Sequence, residues 1–511
     1  MHSSSSEAEQ TPRLTPSDLV GCRYRQVQRQ RFPEVQPLEA TVQRRVRRQV
    51  GLSEVLNRVP VQPVKRGRVP FVRIDLDSAA ELAEFDTLEA LAVQATLITG
   101  AVFSGVLEGV EWQVTADLLV RNADGSYTPI MVSNHRVARP NPHRTMLALA
   151  TTRLGMGHAL EVHAAPRHHT IDGYRLTLAL MGLEAAGCAP STNLGGVIGQ
   201  DREWAYLIDV SRYAPATIRA LLKPPSTGPR RVKECASCRF WSHCEPELRA
   251  ADDISLFLSG DRADIYREQG INTTQALIDA SLGDISHIAQ AWRAEIPVLR
   301  RVARTAAPRF DVEIDVDVEA YLDLGAYLWG TFDGEEYRPF VIWSGLGEAA
   351  EGENFAKFWT WLRSRRDKAH QEGQTFGVFC YASNGENHWM LSTARRFYGK
   401  VKGVPSEEEV RDFISSDRWN DMFAVARSQL VGPGGLGLKQ LAPAAGFHWE
   451  EEDFAGEDSL HAFLIAATTP DAEAEAARAQ LLSYNGDDCR ATAAIRHWLR
   501  QGALSAPVLG S

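Results

Sequence analysis

Cysteine is scarce in this chain, seven in 511 residues, an odd number scattered along its length. That excludes a disulfide-stapled secreted scaffold and leads us to expect a reducing, cytoplasmic setting. Long apolar runs are missing as well, so no stretch is expected to span a bilayer and no membrane partner is expected. The opening "MHSSSSEAEQTPRLTPSD" lacks the apolar core of a secretory leader and reads as a polar, disordered tail over residues 1–14. A positive surplus is lacking too. The formal net charge is −10, which excludes a uniformly basic nucleic-acid binder. No internal repeat is visible, which excludes a solenoid.

What is present is uneven. The hydrophobic fraction is 44%, enough for sizeable cores, and the length suggests two to four domains. Between Gly21 and Ile74 there are 13 Arg and Lys against 3 Asp and Glu, mostly in "RYRQVQRQR" and "QRRVRRQ". From Asp311 onward acids prevail. This asymmetry suggests a polyanion-facing N-terminal region, although one basic run alone is more often a solvated helix face.

Three regions follow from patterning. Residues 15–250 read as mixed α/β: "QVTADLLVRNADGSYTPIMVSNH" is two strands around a turn, "GYRLTLALMGLEAAG" a buried helix ending at Gly187, and "LGGVIG" and "EWAYLIDV" are strands. Residues 251–307 read as all-helical, with a tight turn at Gly270 and Thr273 or Thr274 as an N-cap. This pattern is similar to a helix-hairpin-helix, which presents backbone N–H groups to phosphate, and equally to an ordinary helical linker. Residues 308–511 open with "VEIDVDVEAY", a period-2 strand. Val312, Ile314, Val316 and Val318 face one way, and Glu313, Asp315, Asp317 and Glu319 the other.

Two constellations carry chemistry. In "ECASCRFWSHCEPE", Cys235, Cys238 and Cys244 have the spacing C-x2-C-x5-C, one ligand short of a closed metal site. His243 could complete a zinc site, though it abuts Cys244. Cys22 in "SDLVGC" is the other completion. Cys188, Cys380 and Cys489 read as buried thiols. In the C-terminal region, Asp317 and Glu319 share a strand face, and Tyr484 and Asp488 share a helix face by their spacing of four.

One cysteine before a mixed α/β core and three after it resembles the RecB-like nucleases of the PD-(D/E)XK class. There, four such cysteines hold a 4Fe–4S cluster. The resemblance implies that Cys22, Cys235, Cys238 and Cys244 do so here, with structural zinc as the alternative. It also implies a restriction-endonuclease-like fold with an acid on one strand and acid-x-Lys on the next. Asp117 in "VTADLLV" supplies the first acid. The acid-x-Lys position reads Met131-Val132-Ser133, and Arg175 stands where the family carries a helix glutamine. The layout is therefore kept and this catalytic centre reads as degenerate, the alternative being that the second acid lies in another register.

The C-terminal pieces, taken in order, resemble a YprB-type RNase H-like domain, related to exonucleases of the DEDDy class. Asp317 and Glu319 match the opening strand, Tyr381 and Glu386 the central segment, Asp421 a helix start, Leu438-Lys439 to Gly446-Phe447 the next segment, and Tyr484, Asn485 and Asp488 the last. The resemblance implies two-metal phosphodiester hydrolysis with Mg²⁺ or Mn²⁺. Asp317, Glu319 and Asp488 would be the ligands, Tyr484 would orient the water, and Glu386 or Asp421 would be the further acid. Lys439 would touch phosphate. We therefore expect an α/β chain: a restriction-endonuclease-like domain with an Fe–S cluster, a helix-hairpin-helix-like linker and an RNase H-like domain. The expected activity is a metal-dependent, 3′–5′ DNA exonuclease in DNA repair or processing, with nucleic acid as partner, DNA favoured, and a helicase as a further one. The alternative is a non-catalytic nucleic-acid binder with both centres degenerate.

Overall fold

The computed structural model describes residues 13–61, 71–224, 226–322, 324–451, 454, 456–467 and 471–511. Of the tail expected over residues 1–14, residues 1–12 lie outside the described residues. Leu14 is paired with the sheet: its N–H donates to the Glu111 carbonyl and its carbonyl accepts from the Gln113 N–H, both at 2.9 Å. The chain divides into two compact units, Met1–Ala251 and Asp252–Ser511. The helical segment expected as a separate module at 251–307 thus joins the second unit.

The first unit is built on an eight-stranded mixed sheet: β1 (Arg73–Asp75), β2 (Leu97–Leu107), β3 (Val110–Arg121), β4 (Tyr127–Val132), β5 (Ala138–Ala150), β6 (Leu160–Pro166), β7 (Leu194–Ile198) and β8 (Trp204–Asp209), in the order β1-β2-β3-β4-β7-β8-β5-β6. β3 and β4 form the hairpin that "NADGS" predicts, and β7 and β8 are the two strands read from "LGGVIG" and "EWAYLIDV". The helix Thr170–Ala185 is buried, with Leu176, Leu178, Ala179 and Leu183 in a core shared with Ile98, Leu119 and Met131.

The second unit opens with short helices around Ile254, Phe257, Leu258, Leu277 and Ala289. Gly270 makes the expected turn, at φ +81, and Thr273 is the cap, its hydroxyl accepting from the Ala276 N–H at 3.0 Å. The neighbouring Gln275 N–H donates to Asp252 at 2.8 Å. Amides that the phosphate-binding reading needs are therefore already committed within the protein.

Beyond them lie β9 (Leu299–Arg300), β10 (Val312–Tyr321), β11 (Gly325–Phe332), β12 (Tyr337–Val341), β13 (Phe376–Cys380), β14 (Trp419–Asp421) and β15 (Leu430–Val431). Five of these form a sheet in the order β12-β11-β10-β13-β14, with β10 antiparallel to β11 and parallel to β13. The apolar face of β10, Ile314 and Val316, packs with Trp329, Phe355 and Phe358. Its acidic face lies under the long helix Ala472–Arg500.

That cover answers what the extra acids do. Asp315 is 0% exposed and meets Arg496, itself 2% exposed. Glu313 meets Arg496 at 3.2 Å and Arg500 as well. Burial pushes Asp315 up to about 6 despite the guanidinium. Burial also raises Glu313, but Arg500 and the Phe310 N–H bring it below the usual carboxylate range on balance. The two acids are structural ion-pair partners of Arg496 and Arg500. Removing one partner of such a pair strands the other. Arg496→Met should cost about 3–5 kcal/mol in urea unfolding, and adding Asp315→Leu to it should recover much of that loss.

Candidate metal centre

β10 alternates, so Asp317 and Glu319 emerge on one face two residues apart, under the helix Ala472–Arg500. On that helix Asp488 lies one turn beyond Tyr484, on the same side. Ligand oxygens of Asp317, Glu319 and Asp488 all lie within 4.8 Å of one another. Among the described residues this is the one set of three His, Cys, Asp or Glu side chains so arranged.

The carboxylates crowd one another. Burial, then Asp488, Glu319 and Glu386, hold Asp317 well above the usual carboxylate range. Burial, with Asp488 and Glu386, pushes Glu319 up to about 8. Burial lifts Asp488 to about 6, against the Trp449 hydrogen bond, the Lys439 charge and the Tyr484 hydrogen bond. Glu386, buried on the helix Asn384–Phe397, is pushed up to about 8 by burial, and one of its buried oxygens has no partner among the described residues. Like charges so gathered need a proton or a cation, and an all-oxygen set of this kind suits Mg²⁺ or Mn²⁺.

Further groups shape the centre. The Trp449 indole N–H donates to Asp488 Oδ1 at 2.8 Å. The Tyr484 hydroxyl also bonds Asp488, and burial holds its phenol far above its ordinary value, so it stays protonated. The Lys439 ammonium lies 5.3 Å from the Tyr484 ring and 5.6 Å from the Trp449 ring and bonds the Phe454 carbonyl.

Not every expected residue joins. Asp421 caps the helix Met422–Gln429, accepting from the Phe423 and Ala424 N–H groups at 2.9 and 3.2 Å. It also accepts from the Ala382 and Ser383 N–H groups at 3.1 and 3.2 Å and the Ser383 hydroxyl at 3.1 Å. Both its oxygens are thus engaged, which removes it as the substitute ligand. Tyr381 bonds the Leu436 carbonyl instead of the triad. Trp449 was missed by sequence reasoning; its one signal is its place two residues after Gly446-Phe447.

In the first unit Asp117 is only 4% exposed and carries no such surplus. Arg175 donates to it at 2.7 Å, the Val132 N–H at 2.7 Å, and Arg48 approaches at 3.4 Å. Ser133 turns instead to Asp172, at 2.6 Å, which also meets His135 at 2.7 Å. Two guanidinium groups stand beside the acid where a nuclease of the expected class needs a cation.

Cys22, Cys235, Cys238 and Cys244 line one small cavity, with Tyr24, Gln28 and Phe240. Gln28 donates to the Cys244 sulfur at 3.1 Å and the Val232 N–H to that of Cys235 at 3.3 Å. Burial pushes the Cys235 thiol up to about 11 and raises Cys22 and Cys244. His243 stacks on Phe32, ring centroids 3.9 Å apart. Among the described residues these cysteines form no close group of metal-ligating side chains of the kind that Asp317, Glu319 and Asp488 form.

Comparison with known proteins finds that residues 316–500 match the family model of the RNase H superfamily. This span contains the whole triad. No curated protein and no solved structure matches the chain. No helix among the described residues is long and apolar enough to cross a membrane.

The raised carboxyl groups give a signed pH dependence. The folded chain holds these protons more tightly than the unfolded one, so their contribution to stability is lost as pH rises from about 4 toward the value near 8 of Glu319. In EDTA, Glu319→Gln should therefore melt above wild type by a margin that widens between pH 5.5 and 8.5. Added Mn²⁺ should raise the wild-type melting temperature at pH 8 and that of the variant much less.

Proposed function

We propose that the chain is a metal-dependent nuclease whose C-terminal unit hydrolyses phosphodiester bonds, most simply as a 3′–5′ exonuclease on DNA. One observation carries this reading: Asp317, Glu319 and Asp488 converge within 4.8 Å, on a strand and a helix inside the span that matches the RNase H superfamily. Those three would hold the divalent ions, and the unpartnered Glu386 oxygen lies in the field of the same group. When bound, the ions lower the pKa of water and offset charge on the leaving oxygen.

The protein's own residues do the rest. Trp449 holds Asp488 from one side, and the Tyr484 hydroxyl, donating to the same carboxylate, stands ready to hydrogen-bond an incoming water. Because burial keeps that phenol neutral, it orients the water rather than taking its proton. The Lys439 charge, close to both rings, favours an anionic backbone at this edge.

The first unit serves, in this reading, as a RecB-like platform without its own chemistry. Arg175 and Arg48 neutralise Asp117, so a divalent cation there would meet two guanidinium charges. Cys22, Cys235, Cys238 and Cys244 would hold a 4Fe–4S cluster that ties the two ends of the unit together. Their shared cavity supports this. N–H donors to two of the sulfurs favour the thiolate form.

Two experiments test the proposal. Single-stranded DNA with a labelled 5′ end should be degraded by wild type with Mn²⁺. Asp317→Ala and Asp488→Ala should each lose at least about 100-fold, the upper end for residues that merely support a ligand, and Asp117→Ala should match wild type. Binding without degradation under any divalent ion would sink the enzymatic reading. Anaerobically purified protein should be brown, with about four irons per chain, and Cys22→Ser should bleach it. A colourless, zinc-loaded protein would replace the cluster with structural zinc.

A further inference from the structure

Asp317 has a partner that the metal-ligand set does not include. Asn485, one residue past Tyr484 on the helix Ala472–Arg500, is fully buried, and its amide nitrogen donates to Asp317 Oδ2 at 2.7 Å. A buried amide oxygen also needs a donor. The Tyr337 hydroxyl on β12 supplies it, 2.8 Å from Asn485 Oδ1. Burial keeps the Tyr337 phenol far above its ordinary value, so it remains a donor.

The ionised carboxylate can only accept and so takes the amide N–H, and the tyrosine hydroxyl satisfies the oxygen at the other end. Flipped, Asn485 would turn an oxygen toward Asp317 and face the Tyr337 hydroxyl with its own N–H groups. The space for this contact exists because residue 330 is glycine. Gly330 is the direct cross-strand partner of Asp317 on β11. A Cβ at that position would stand 1.7 Å from Asn485 Oδ1 and 3.1 Å from the Tyr337 ring. Strands β10, β11 and β12 and the helix each contribute one group to a single contact chain that ends on one carboxylate oxygen.

We propose that Asn485, oriented by Tyr337 and admitted by Gly330, is the positioning residue that fixes the Asp317 carboxylate for a divalent cation. The inference rests on the metal-dependent reading above. An aspartate repelled by Glu319 and Asp488 would otherwise rotate away from them. A neutral N–H donor counters that rotation, holds Oδ2, and leaves Oδ1 for the ion. A lysine or arginine in its place would hold the aspartate equally well but compete with the ion for charge, as Arg175 does at Asp117. Neighbours that orient a metal ligand in this way set much of a site's affinity.

The test is calorimetric titration of the full-length chain with Mn²⁺, without nucleic acid. Asn485→Ala should bind Mn²⁺ about 10- to 100-fold more weakly than wild type, and Tyr337→Phe should shift affinity the same way by less. Gly330→Ala should resemble Asn485→Ala; should it misfold, Tyr337→Phe, which only deletes a hydroxyl, carries the test. Unchanged Mn²⁺ affinity in folded Asn485→Ala and Tyr337→Phe overturns the proposal, even if their metal-free melting temperatures fall, since that pattern marks a packing residue. Weakened Mn²⁺ binding in a chain whose wild type never cuts nucleic acid would support the positioning role and remove the nuclease reading. A wild type that binds no Mn²⁺ removes both.

Discussion

The contact between β10 and the helix Ala472–Arg500 determines what the second unit can do. Two strand residues rise about 6.6 Å and four helical residues about 6 Å, so two acids spaced by two on the strand can meet successive helix turns. Glu313 meets Arg500 and Asp315 meets Arg496. At the other end of the same face, Asp317 meets Asn485 and lies with Glu319 beside Asp488. One interface thus changes along its length from neutralised pairs to a surplus of negative charge. The paired end anchors the helix. The unpaired end is where a cation gains most from binding.

The same arithmetic separates the two units. Asp117 and Asp317 are both strand acids beneath a covering helix. Beside Asp117 the helix carries Arg175 and a second arginine approaches, so the charge is already met. Beside Asp317 the helix carries an amide and another acid. An amide steadies a carboxylate without discharging it, whereas a guanidinium does both. A single residue type on the covering helix therefore distinguishes a closed ion pair from a group of acids whose charge is left for a cation. A buried charge with an ideal partner gains nothing from a metal.

Much of this was legible in the sequence, and the reason is local periodicity. "VDVEAY" puts Asp317 and Glu319 on one face because a strand alternates every two residues. "YNGDD" puts Tyr484 beside Asp488 because a helix repeats every 3.6. The cysteine spacing and the hairpin around "NADGS" are local in the same sense. What stayed hidden depends on distant partners. Asp315 finds Arg496 181 residues away, and Asn485 reaches Asp317 across 168. No local pattern marks such a pairing, so Glu313 and Asp315 read only as two more acids on the face of Asp317, and Asp421 as a possible further acid. Asp421 is in fact a helix cap, a role that a short acid before "MFAVARSQ" fits equally well.

Gly330 illustrates a constraint of a different kind. In sequence it is an unremarked glycine within "YLWGTF", where strand propensity alone argues against it. Its backbone is ordinary, so the reason for it is space rather than conformation. Any larger residue would occupy the volume of the Asn485 amide, and Asp317 would then lose this neutral donor. The preference for glycine at this point of β11 follows from the charge problem on β10, which follows in turn from placing three carboxylates where one cation can bridge them. The site's demands therefore extend to a residue that carries no side chain.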